Sequence, residues 1–153
     1  MGTLKLLVPP PMVALVIGTA MWGASLFVPS LEVPSSVRLA SAMAIAVIGL
    51  GFDIAGVISF LRARTTVNPM KPATTSSLVT SGVYVITRNP MYLGMVFFLV
   101  AWAVFLSSVL ALLGPLIFVL YMNRFQIEPE EKALSSIFGN NFVEYKARVR
   151  RWL

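Results

Sequence analysis

Four apolar stretches govern what this chain can fold into. They lie at residues 12–28, 37–61, 91–106 and 109–127. A helix needs about 20 residues to cross a bilayer, with a range of about 17 to 25. The first two stretches meet that length easily. The last two are short, and Ser107-Ser108 is the one plausible turn between them. A single helix over both would far exceed the hydrocarbon core and carry Arg88 and Arg124 to opposite sides. A tight helical hairpin is therefore expected, with tilt, bilayer thinning or an extended fourth helix absorbing the mismatch. The expected fold is all-α and membrane-integral, a single domain of four transmembrane helices.

Charge placement agrees with four crossings. Lys5, Arg62, Arg64, Lys71, Arg88, Arg124, Lys132, Lys146, Arg148, Arg150 and Arg151 then share one side, and only Arg38 faces the other. Basic residues concentrate on the cytoplasmic side of membrane proteins. Both ends of the chain and the 62–89 connection are thus expected in the cytoplasm. The first stretch follows the weakly basic Lys5 but continues past Trp22 without a small-x-small cleavage site. It reads as a retained anchor rather than a signal peptide.

Composition narrows the chemistry. Of 153 residues, 58% are hydrophobic and 12% charged, against about 25% charged in soluble domains. The net charge of +6 does not read as nucleic-acid binding, because the basic residues flank apolar segments where lipid headgroups account for them. There is no cysteine and no histidine. Thiolate nucleophiles and the usual zinc sites are excluded, together with the commonest general base. No metal site is expected.

Two polar clusters stand at segment ends. The first is Arg88-Asn89-Pro90-Met91-Tyr92-Leu93-Gly94, preceded by Tyr84. Asn89 suits a helix N-cap and Pro90 the first helical position. Equally, Arg88 and free helix N–H groups could bind a carboxylate or phosphate. The second is Arg124, Glu128, Glu130 and Glu131. These acids suit a first helical turn after Pro129, or a carboxylate site for a cation or hydroxyls that Arg124 holds in place. Beyond it, Leu134, Ile137, Phe138, Phe142, Tyr145, Val149 and Trp152 recur at three- and four-residue intervals. That pattern predicts an amphipathic C-terminal helix over 129–151 at the cytoplasmic membrane interface, bent at Gly139.

Asp53 lies nine positions before Arg62, roughly 13 Å inside the second helix at 1.5 Å per residue. A carboxylate at that depth is costly and is a candidate functional group. A protonated structural aspartate beside Gly49 and Gly51 fits equally. Gly49, Gly51 and Gly56 read as close helix packing.

With these blocks in view, the chain resembles the isoprenylcysteine carboxyl methyltransferase and phospholipid methyltransferase superfamily, closest to its small bacterial members. Arg64-Thr65-Thr66-Val67-Asn68-Pro69 carries part of the likeness. Leu78-Val79-Thr80-Ser81-Gly82-Val83-Tyr84 continues it, through Arg88 to Gly94. Arg124-Phe125, Pro129-Glu130-Glu131, Leu134, Phe138-Gly139 and Tyr145 complete it. The blocks span about two-thirds of the chain; the first helix carries none.

The resemblance implies a membrane enzyme, sited in a bacterial inner membrane, that uses S-adenosylmethionine and leaves S-adenosylhomocysteine. It implies cofactor contacts from Arg88, Asn89, Tyr92, Gly94, Glu130 and Glu131, with Tyr84 and Arg124 as nearby supports. Arg124, Glu131 and Asp53 are the candidates for catalysis, although the resemblance leaves the role of Asp53 open. The partners implied are a lipophilic acceptor from the bilayer and membrane lipid. Where the eukaryotic pattern has histidine, this chain has Asn89. An amide can position a ligand but cannot carry a proton at neutral pH. Two other readings stay open: an NADPH-dependent membrane reductase of the steroid reductase type, and a non-enzymatic membrane module.

Overall fold

The computed structural model describes residues 8–63 and 77–153, and within them every regular element is helical. Helix α1 spans Pro10–Ser25 and α2 spans Ser35–Arg62. A short 3-10 turn, Gly82–Val85, precedes α3, Pro90–Leu106. A second 3-10 turn, Leu110–Leu112, runs directly into α4, Leu113–Tyr121. A π turn, Met122–Ile127, joins α4 to α5, Glu128–Phe138, and α6 covers Asn140–Arg148. The 64–69 block of the resemblance, together with Lys5 and Lys71, lies outside the described residues.

Two helices, α2 and the continuous run Leu110–Phe138, are long and apolar enough to cross a membrane; α1 and α3 are shorter and also apolar. Their outer surfaces carry exposed Leu15, Val16, Val47, Leu61, Leu116 and Leu120. Contiguous apolar surface on this scale needs an apolar environment, which a bilayer supplies. These are the helices of an integral membrane protein.

Glycines set the closest helix contact. α2 packs along α3. A Cβ on Gly49 would stand 2.9 Å from both the Gly94 carbonyl oxygen and the Phe97 Cβ. Only small residues let backbones approach this closely. Phe52 and Phe97 stack beside that contact, 5.6 Å apart. On another side of α3, α1 donates no side chain at Gly18, and the Trp102 indole N–H bonds the Gly18 carbonyl at 2.9 Å. The core here holds Met21, Tyr92, Leu99, Ala111, Phe118, Met122 and Ile127.

α3 and the Leu110–Phe138 helix form the expected hairpin. Ser107 takes a left-handed conformation, φ 51°, that ends α3. Its hydroxyl bonds the Leu31 carbonyl at 3.0 Å, and the Leu31 N–H bonds the Ser107 carbonyl at 2.7 Å. The preface to α2 is thereby pinned to this end of the molecule. Arg38 sits at the same end, 5.7 Å above the Phe105 ring. Arg88 is at the other end of α3, about 25 Å away along 17 residues of 1.5 Å.

Two expectations need correction. No helix starts afresh at Glu128, because the run from Leu110 continues to Phe138. The wide π turn just before Pro129 accommodates a ring that would otherwise meet the carbonyl four residues back. Nor does the apolar face beyond Phe138 lie free for the membrane. Gly139, with φ +52° and ψ −126°, breaks the helix in a conformation that favours glycine. α6 folds back so that Phe142, Tyr145 and Val149 pack on Val79 and Tyr84.

Candidate active site at the head of α3

The site forms where the start of α3 meets α5. Tyr92, one turn into α3, donates its hydroxyl to Glu130 Oε1 at 2.7 Å. The Gln126 amide donates to the same oxygen at 2.5 Å and to the Tyr92 hydroxyl at 3.3 Å. Gln126 and Glu130 are one turn apart on the Leu110–Phe138 helix, so both reach one spot. Tyr84 stands beside this group. Burial raises its phenol pKa, with Tyr145 and then Glu130 adding to the shift, so it stays a neutral hydroxyl.

Next to it lies an ion cluster. Arg88 Nη2 meets Glu131 Oε1 at 2.8 Å. Arg151 holds the same carboxylate with two prongs, Nε to Oε1 at 3.1 Å and Nη2 to Oε2 at 2.7 Å. Hydrogen bonding to Glu131 raises the pKa of Arg151, so the pair is firmly ionic. Two-pronged guanidinium–carboxylate contacts combine strength with fixed geometry. The Arg88 and Glu131 side chains are only 12% and 14% exposed.

The segment after α6 completes the cluster. Val149 is extended, with φ −121° and ψ 133°. Arg88 Nη1 donates to the Val149 carbonyl at 2.8 Å, and its backbone N–H to the Arg150 carbonyl at 3.0 Å. The Thr87 hydroxyl and the Asn89 amide both donate to the Arg151 carbonyl, at 3.2 and 2.9 Å. Asn89 thus occupies the N-cap position of α3 without capping it with its side chain. Below the same segment, Tyr145 donates to the Tyr84 carbonyl at 2.8 Å, and burial pushes its phenol up to about 12 while Arg88 works the other way.

The structure therefore brings Tyr84, Arg88, Asn89, Tyr92, Glu130 and Glu131 together. It places three candidates elsewhere. Arg124 is 72% exposed and pairs with Glu128 at 3.1 Å, one turn along its own helix. It pairs with neither Glu130 nor Glu131; Arg151 and Arg88 hold Glu131, and Tyr92 and Gln126 hold Glu130. Gly94 faces α2, where a Cβ would overlap the Asp53 carboxylate and press the Gly49 carbonyl. Asp53 lies against Gly94, two residues beyond Tyr92 and so about 200° around α3 from it. Its Oδ1 is buried with no hydrogen-bond partner among the described residues. First-turn charge complementation does not account for Glu130 and Glu131, since no helix begins there.

Sequence reasoning missed Asn123, Gln126, Thr87, Arg151 and Trp152. Asn123 Oδ1 accepts from both Arg151 Nη1, at 3.3 Å, and Trp152 Nε1, at 3.1 Å. The available signal was an amide pair, Asn123 and Gln126, on either side of Arg124 and Phe125 at the end of an apolar run. Such groups need partners inside the protein.

The phospholipid methyltransferase family matches residues 37–141. The chain belongs to that family. The match covers α2 from Val37 through α5, and so Arg88, Tyr92, Gln126, Glu130 and Glu131, but not the Val149–Trp152 segment. Among relatives of this chain, a protein-S-isoprenylcysteine O-methyltransferase of Xenopus laevis is 41% identical over 76 residues. The enzyme of the same description from Homo sapiens is 36% identical over 75. The matches cover 48% and 49% of this chain but 25% and 26% of those proteins, so the chain spans about a quarter of their length. An uncharacterized protein of Haemophilus influenzae is 49% identical over 63 residues, which is all of that protein and 41% of this chain. No solved structure matches the chain.

Proposed function

We propose that this protein transfers a methyl group from S-adenosylmethionine to a lipophilic acceptor, a carboxylate, thiol or amine, at the cytoplasmic face of a bacterial inner membrane. One observation carries the reading. Arg88 and Tyr92 at the head of α3 contact Glu131 and Glu130 across the hairpin, at 2.8 and 2.7 Å. Four crossings, with both ends of the chain cytoplasmic, follow from placing that end of α3 inside and the Arg38 end outside.

The residues fit such a cofactor. Arg88 Nε is buried and has no acceptor among the described residues. A ligand carboxylate would satisfy it, and a buried donor left unmatched is expensive. Glu130 offers carboxyl oxygens to an ammonium or hydroxyls close by. A zwitterionic amino-acid end carries both groups. When bound, the sulfonium would supply an activated methyl group, its sulfur keeping the bonding pair and becoming a neutral thioether. The chain's own contribution is to orient and dry the site. Tyr92 and Gln126 are buried and fix Glu130. Proximity and water exclusion are the main sources of rate in such an arrangement.

An ionised carboxylate or thiolate acceptor needs no general base. An amine acceptor must lose a proton, and Glu130 stands nearer the cluster than Asp53, which faces the α2 side of α3. The acceptor enters laterally between helices from the bilayer.

Isothermal titration of the purified protein in detergent with S-adenosylhomocysteine tests the reading. The expected result is binding that NADPH does not displace. Absence of heat from a folded sample contradicts it, and displacement by NADPH favours a reductase.

A further inference from the structure

Arg151 is tied to both halves of the site at once. Its guanidinium grips both oxygens of Glu131 on α5. Its carbonyl receives Thr87 and Asn89 from the head of α3. Trp152 and Arg151 share Asn123 on the π turn.

Glu131 is nearly saturated by this arrangement. It accepts one bond from Arg88 and two from Arg151, three of roughly four acceptor directions on a carboxylate. Its geometry suits holding Arg88 better than receiving a ligand. Arg88 in turn is fixed at Nη1 by the Val149 and Lys146 carbonyls and at Nη2 by Glu131. Nε has no acceptor among the described residues. The guanidinium is therefore locked in the orientation that presents Nε.

We infer that Arg151 is a positioning residue for cofactor binding: acting through Glu131, it fixes the Arg88 guanidinium so that its Nε faces the ligand. This inference rests on the methyltransferase reading above. It also divides the adjacent glutamates. Glu131 transmits position from Arg151 to Arg88, whereas Glu130, held by Tyr92 and Gln126, is the acid left to face the ligand.

A double-mutant cycle on the full chain in detergent tests the inference, with S-adenosylhomocysteine affinity as the readout. Arg151→Ala and Glu131→Gln should each weaken binding tenfold or more. The double variant should lose little beyond either single change, because both break one relay; residues acting as one unit are not additive. Arg151→Lys keeps the charge but not the two-pronged fork, and should lose threefold or more. It serves as the test if Arg151→Ala does not fold. A merely structural role would lower the thermal midpoint and leave the affinity of the folded fraction unchanged. That result overturns the inference, as do wild-type affinity in the lysine variant or losses that multiply fully in the double variant. Failure of the wild-type protein itself to bind overturns the methyltransferase reading and the inference with it.

Discussion

Tyr92 and Glu130 are hydrogen-bonded at 2.7 Å although 38 residues separate them. The bond crosses the α3–α4 hairpin and joins an apolar helix to an acidic one. Tyr92 is buried and Glu130 half-buried, and Gln126 reaches the same carboxylate oxygen. Tyr92→Phe removes one of these two donors without changing the ring. A buried acceptor left short of a donor costs about 1–3 kcal/mol. The midpoint of denaturant unfolding in detergent should fall accordingly, and S-adenosylhomocysteine affinity with it. An unchanged midpoint and affinity would remove Tyr92 from the site.

Arg88 and Arg124 make a matched pair for comparison. Arg88→Ala removes a buried partner of Glu131 and should weaken S-adenosylhomocysteine binding by at least tenfold. Arg124→Ala removes only an exposed pair with Glu128, and such pairs contribute about 0.3–0.5 kcal/mol. Binding by that variant should stay within twofold of wild type. Equal losses in the two would show that the exposed arginine belongs to the site after all.

Gly94→Ala should be strongly destabilising, because the new methyl group overlaps the Asp53 carboxylate. Overpacking of this kind costs about 1–3 kcal/mol or more. Adding Asp53→Ala opens space and should restore part of the loss, although the Gly49 carbonyl still opposes the methyl group. Full additivity of the two changes in an unfolding measurement would contradict the contact.

The native chain has no cysteine, so single thiols report topology without background. Ser36→Cys lies near Arg38, and Ala147→Cys lies in α6 near the site. In intact cells a membrane-impermeant maleimide should label the first and spare the second. Labelling of both, or of Ala147→Cys alone, would contradict the four-crossing orientation.

Helix positions were legible because hydropathy and turn residues are local properties. Ser107 marked the hairpin, and Gly139 marked the break before α6. Pro129 misled, since a proline ordinarily opens a helix and here sits within one behind a π turn. Arg88, Asn89, Tyr92 and the two glutamates stood out as polar groups beside apolar runs. Their pairing did not, because it depends on how the hairpin closes. Arg124 and Arg151 look alike as basic residues near apolar segments. Only the path of Val149–Trp152 across the head of α3 makes Arg151 the partner of Glu131. Asn89 looked like a helix cap for the same reason: its real acceptor, the Arg151 carbonyl, is 62 residues away.

The most direct test of the central claim is transfer of a labelled methyl group from S-adenosylmethionine. Purified protein would be incubated with the solvent-extracted lipids and membrane proteins of its host, and the label followed into apolar products. The wild-type protein should label at least one lipophilic product, and Glu130→Gln, recovered folded, should label it at least tenfold more slowly. A folded wild-type protein that binds S-adenosylhomocysteine but labels nothing, or a Glu130→Gln variant as fast as wild type, would contradict the account.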